Sequence, residues 1–174
     1  MLAAMSVRIS VRPVTDGDAA AVRAIYNAEV LESTVTFDLV PRTLEDQLAW
    51  QHERSGAHAV LVAVDGGAGA EGEVVGYGSL SAYKERAAYA TTVEDSVYVR
   101  RDQQGRGVGR LLLAELLAVA TAHGFHAVMA RIVGGHDASI ALHASLGFEI
   151  VGTEREVGRK FGRWLDVVVM QKLL

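Results

Sequence analysis

Val7, Ile9 and Val11 alternate with polar partners, the period of a strand with one covered face. Thr15, followed three residues later by Asp18, forms a capping-box pattern. Val22, Ile25, Tyr26 and Val30 come next at helical spacing, and this helix is predicted to end before Ser33-Thr34. Pro41-Arg42-Thr43 opens a second helix, with Thr43 as its cap, Asp46 three residues on, and Leu44 and Leu48 predicted to face inward.

Residues 57–65, rich in Val and Ala, read as a strand. The glycine-rich stretch 65–73 reads as a flexible hairpin connection. Strands are predicted over 74–83 and 92–99, joined by a polar loop at 84–90. A charged, glycine-containing turn at 100–106 leads into a long helix over 107–123. There Val108, Leu111, Leu112, Leu116 and Val119 keep helical spacing, and Gly124 closes the helix. A short buried strand is expected over 127–133 and a helix over 136–146, closed by Gly147. Two last strands, 148–157 and 165–173, are separated by the basic, glycine-containing stretch 158–163. The order is β-α-α-β-β-β-α-β-α-β-β, which fits a mixed sheet covered by helices. No internal repeat or linker interrupts it, so 1–174 reads as one domain with a core of about 7–172.

Composition narrows the class. Half the residues are hydrophobic and 22% are charged, which excludes disordered and collagen-like chains. The chain has no cysteine, which removes disulfide scaffolds, thiolate zinc sites and cysteine nucleophiles. No apolar run approaches the ~20 residues needed to span a bilayer. The start, Met1–Ser6, lacks the charged and apolar regions of a signal peptide, so a cytoplasmic protein without membrane partners is expected. The net charge of −4 argues against nucleic acid as a partner. Arg100, Arg101, Arg106 and Arg110 nevertheless cluster, which suits a small anionic ligand.

The sharpest local signal is Gln104-Gly105-Arg106-Gly107-Val108-Gly109-Arg110, between a strand and the long helix. Glycines let main chain approach a ligand closely, and N–H groups at a helix N-terminus can converge on an anion. No Lys-Ser/Thr follows, so this is not a Walker loop. Arg110 stands where a dinucleotide fingerprint needs its third glycine. A plain strand-to-helix turn with solvated arginines would share this pattern.

Gln104-x-x-Gly107-x-Gly109 resembles the acetyl-CoA loop of the GNAT superfamily of N-acetyltransferases. The stretches 92–99, 138–148 and 158–166 are similar to those of its phosphinothricin and methionine-sulfoximine N-acetyltransferase group. The resemblance implies an α/β (α+β) fold with about seven strands in a mixed central sheet and about four helices around it. It also implies acetyl-CoA as co-substrate, no metal, a small-molecule amine acceptor and a homodimer.

Carried over residue by residue, the resemblance makes Glu94 the general base. A carboxylate there needs a raised pKa or a water relay. Val97, Tyr98 and Val99 would meet the cofactor mainly through main chain, and residues 104–110 would hold its pyrophosphate. His143 stands where many members carry a proton-donating tyrosine, and an imidazole can serve that end. His136, Ser139 and His143 share one helix face at i, i+3, i+7. His136 replaces the usual asparagine, whose paired amide geometry it cannot copy. Arg86 would clamp an acceptor carboxylate, with Lys84, Tyr89 and Phe37 beside it. Zinc on His123, His126, His136 and His143 is the weaker reading, because the spacings match no standard pattern. The competing functions are transfer to another amine (a polyamine, an aminoglycoside or a protein N-terminus) and a non-catalytic acyl-CoA-binding module.

Overall fold

The computed structural model describes residues 9–66 and 72–174. Met1–Ser6, Val7 and the centre of the 65–73 connection lie outside them. The chain runs β1 (Ile9–Pro13), α1 (Ala19–Glu32), α2 (Leu44–His52), β2 (Val60–Asp65), β3 (Glu73–Ala82), β4 (Thr92–Val99), α3 (Val108–Ala122), β5 (Ala127–Val133), α4 (Asp137–Ala144), β6 (Glu149–Lys160) and β7 (Arg163–Leu173). The seven strands form one mixed sheet in the order β1-β2-β3-β4-β5-β7-β6. Among the described residues, only β4 and β5 pair in parallel.

Both faces of the sheet are covered, which explains the near-continuous apolar run of β2. Leu61 and Ala63 join Val75, Leu80 and Val93 beneath Leu112, Leu113 and Leu116 of α3. Val60, Val62 and Val64 face the other way, with Tyr77, against Val22, Ile25, Tyr26 and Val30 of α1. Thr15 and Asp18 cap a short 3-10 turn, Asp16–Asp18, and α1 starts one residue later. Arg12 forks onto both oxygens of Asp18, at 2.7 and 2.9 Å.

Two expectations need correcting. Leu44 of α2 is exposed, and the buried residues of this helix are Gln47 and Gln51. Arg42 donates to Gln47, Gln47 to Gln51, and Gln51 to the Thr15 carbonyl, so this polar ladder is hydrogen-bonded along its length. The basic stretch 158–163 is mostly strand: Gly158 pairs with Leu165, Arg159 with Trp164 and Lys160 with Arg163. The turn is only Phe161-Gly162, both at positive φ, a hairpin geometry that matches strand twist. Polar residues and glycine hid a ribbon whose faces are largely exposed.

Candidate active site

β4 and β5 are in register over only three residue pairs, Thr92↔Ala127 to Glu94↔Met129. β4 stays paired with β3 to Val99, and β5 with β7 to Val133. The two strands therefore diverge, and a cleft of about 330 Å³ opens between Asp95–Val99 and Ala130–Val133. The β4 main-chain groups that would have met β5 face this cleft.

The cleft continues into the loop before α3. Gly107 takes a left-handed conformation (φ 81°) immediately ahead of Val108, and Gly105 does likewise (φ 77°). A Cβ on either would meet nothing within 4 Å, so these glycines answer a main-chain requirement and leave open space over the helix N-terminus. Gly109 sits closely against Leu142. Gln104 donates to the Val99 carbonyl at 3.3 Å and closes the turn. This cradle of N–H groups, with Arg110 on its rim, fits a pyrophosphate.

Val97, Tyr98, Val99, Gln104, Gly105, Gly107, Val108, Gly109, Arg110, His136, Ser139 and His143 all line the cleft. The Tyr98 ring is packed 5.3 Å from both Tyr26 and Tyr77, so its offering to the cleft is main chain. Arg106 departs from its expected place. It turns away, donates to Asp65 at 3.0 Å and to Gln103, and is not part of the lining. Arg110 hydrogen-bonds the Ser145 hydroxyl at 2.6 Å.

The residues assigned to base and acceptor roles are not drawn into this cleft. Glu94 lies at the divergence point, just outside the lining, on the strand face it shares with Ser96 and Tyr98. Burial raises its pKa, and Asp95 and Glu154 add to the rise against the pull of Arg131. Lys84, Arg86 and Tyr89 line a separate shallow hollow. Phe37 lies over Gly158 of β6, where an added Cβ would overlap its ring.

His143 is buried. Its Nδ1 lies 2.7 Å from the Ser139 carbonyl and its Nε2 3.1 Å from Asp95 Oδ2. Burial disfavours its charged form, but the Asp95 hydrogen bond and charge, with the Ser139 carbonyl, outweigh this and raise its pKa. His136 is shifted down, first by burial. Among the lining residues that the sequence did not single out are Asp95, Glu29, Val35 and the β5 residues Ala130–Val133. Glu29 accepts from Arg101 at 2.9 Å and from Ser33 at 2.5 Å. Burial raises the Glu29 pKa, but these two bonds, with the charges of Arg101 and His136, outweigh it and leave the pKa lowered. The described residues hold no group of three or more metal-ligating side chains placed for an ion.

Residues 11–169 match the family model described as an acetyltransferase (GNAT) domain. The chain is 43% identical over 163 residues to an L-methionine sulfoximine/L-methionine sulfone acetyltransferase of Pseudomonas aeruginosa, covering 93% of this chain and 92% of that one. It is 41% identical to a phosphinothricin N-acetyltransferase of Streptomyces coelicolor, covering 97% and 98%. A solved phosphinothricin acetyltransferase of Sinorhizobium meliloti, in complex with acetyl-CoA, superposes with a TM-score of 0.89 at 36% identity, over 95% of this chain and 88% of that one. With the splayed strands and glycine cradle already described, these matches make the chain a member of the GNAT acetyltransferase family, an acetyl-CoA-dependent N-acyltransferase.

Proposed function

We propose that the protein moves acetyl from acetyl-CoA directly to the α-amine of a small amino acid or analogue of the phosphinothricin, methionine sulfoximine and methionine sulfone kind. The observation that carries this reading is the cleft between β4 and β5 running into the glycine cradle. The thioester supplies the activated acyl group. The diverging β4 edge offers N–H donors to the thioester oxygen as charge builds there. The cradle and Arg110 take the pyrophosphate.

Glu94 takes a proton from the acceptor's ammonium, through a water where the distance requires it, and the neutral amine so formed attacks the thioester carbonyl. Burial brings its basicity toward that task. His143 lines the cleft with its ring nitrogens held by Ser139 and Asp95, so it offers positive charge beside the departing thiolate, which takes the proton that the amine nitrogen sheds as the amide forms. Arg86, with Lys84 and Tyr89 beside it, suits an acceptor carboxylate, and Phe37 an apolar side chain. A homodimer fits the row of exposed apolar residues along the β6–β7 ribbon: Ile150, Val151, Val157, Phe161 and Trp164.

The test is thiol release from acetyl-CoA with a panel of amines: methionine sulfoximine, methionine sulfone, phosphinothricin, the common amino acids, spermidine and an aminoglycoside. Selective turnover of the amino-acid analogues is expected, and Arg86→Ala should raise their KM. Turnover confined to polycations would overturn the acceptor assignment. Acetyl-CoA binding with silence across the panel would favour the non-catalytic reading.

A further inference from the structure

Arg131 is the one basic side chain of β5, and no step of the transfer uses it. It lines the β4–β5 cleft and lies two residues beyond Met129, the register partner of Glu94. Side chains in register on adjacent strands share a face, and every second residue repeats it. Arg131 therefore stands on the sheet face that carries Glu94, about 7 Å further along β5. Its charge reaches Glu94, where it opposes the rise in pKa that burial causes. The guanidinium is held by Glu154 of β6, which reaches across β7 and accepts from both terminal nitrogens, at 3.1 and 2.5 Å. These bonds use two of its five donors. Nε–H and the Nη–H beside it form a second, parallel pair, for which no acceptor stands among the described residues, and the side chain is 35% exposed. A guanidinium fixed on one edge by a carboxylate and open on the other is set to take a second anion.

We propose that Arg131 binds the anionic end of the acceptor's side chain, so that among small amino acids the enzyme favours those whose side chain ends in a phosphinate or carboxylate. This rests on the acceptor reading above, in which the amine meets Glu94 and Arg86 takes the α-carboxylate. The α-carboxylate carbon lies two bonds from the amine nitrogen. The phosphinate phosphorus of phosphinothricin lies four bonds away, about 5 Å in an extended chain. The offset of about 7 Å between the Glu94 and Arg131 positions suits the longer of these spans. Methionine sulfone has the same skeleton, with a neutral sulfone in place of the anionic phosphinate. Shape therefore cannot separate the two acceptors, and charge can. Glu154 fixes the plane of the fork and leaves its second edge to the ligand.

Steady-state kinetics with the two analogues test it. Arg131→Met keeps the apolar stem and removes the fork. It should lower kcat/KM for phosphinothricin by about tenfold or more, through KM, and change that for methionine sulfone by less than about threefold. Arg131→Lys keeps the charge without the paired donors, and with phosphinothricin it should fall between the wild type and Arg131→Met. Equal losses with both analogues, or no loss with phosphinothricin, would overturn the proposal while leaving the acceptor class in place. So would a wild type that acetylates the sulfone but not phosphinothricin. A wild type that acetylates neither analogue but does acetylate spermidine or an aminoglycoside would overturn the acceptor reading itself, and this proposal with it. Should Arg131→Met fail to fold, Arg131→Gln, which keeps a donor for Glu154, is read the same way.

Discussion

His143→Leu removes the cation from a buried ion pair and leaves Asp95 without its partner. Breaking a buried pair from one side costs about 3–5 kcal/mol, because the remaining charge is stranded. For a chain of this length each kcal/mol lowers Tm by about 2–4 °C, so a fall of roughly 6–20 °C is expected. His143→Gln keeps an N–H donor for Asp95 and should lose distinctly less. The pH dependence sharpens the test. The His143 pKa is raised in the folded protein, because Asp95 and the Ser139 carbonyl outweigh burial. Its contribution to stability is thus fully present below the unfolded value of about 6.5 and is lost as pH rises through the higher folded value. Thermal melts from pH 5.5 upward should show the wild type losing stability over that window, and His143→Leu lacking this component. A leucine variant melting within about 3 °C of the wild type, or keeping the same pH slope, would refute the charged pair.

Three further outcomes are expected. Glu94→Gln should cut turnover by about 10²–10⁴-fold while leaving the acetyl-CoA Kd unchanged, and the acid limb of the wild-type kcat/KM profile should lie above the ordinary glutamate range, since burial raises this carboxyl. Gly158→Ala should cost about 1–3 kcal/mol by overlap with the Phe37 ring, and Phe37→Leu should restore much of the loss in a thermal melt. Arg110→Ala should weaken acetyl-CoA binding more than Arg106→Ala, because Arg110 lines the cleft whereas Arg106 is committed to Asp65 and Gln103; calorimetry on the two variants decides it.

The apolar spacing within each segment was a good guide to the elements, because helices and strands bury different periodicities. Val22, Ile25, Tyr26 and Val30 and the leucines of α3 mark faces that do pack on the sheet. The glycines of the 104–110 loop were also legible, since Gly105 and Gly107 take main-chain conformations that other residues resist. Polarity misled where burial was decided by a distant partner. Leu44 was expected to face inward on α2, yet Gln47 and Gln51 are the buried residues there, because each finds a hydrogen-bonding partner. Gly158–Arg163 read as a loop, yet it pairs across a two-residue turn.

The sequence by itself determined the order of elements, the glycine cradle at a helix N-terminus and the family of the chain, all of which depend on neighbours along the chain or on motif text. Tertiary structure alone decided the divergence of β4 from β5, which opens the cleft, because register between strands 35 residues apart is set by the whole sheet. It also separated Arg106 from Arg110. Both sit in one basic stretch, but Asp65, 41 residues away, draws the first aside. Asp95 shows the same dependence most sharply. A strand carboxylate carries no local mark, and only the packing of α4 across the sheet brings His143, 48 residues on, within hydrogen-bonding reach and buries the pair together.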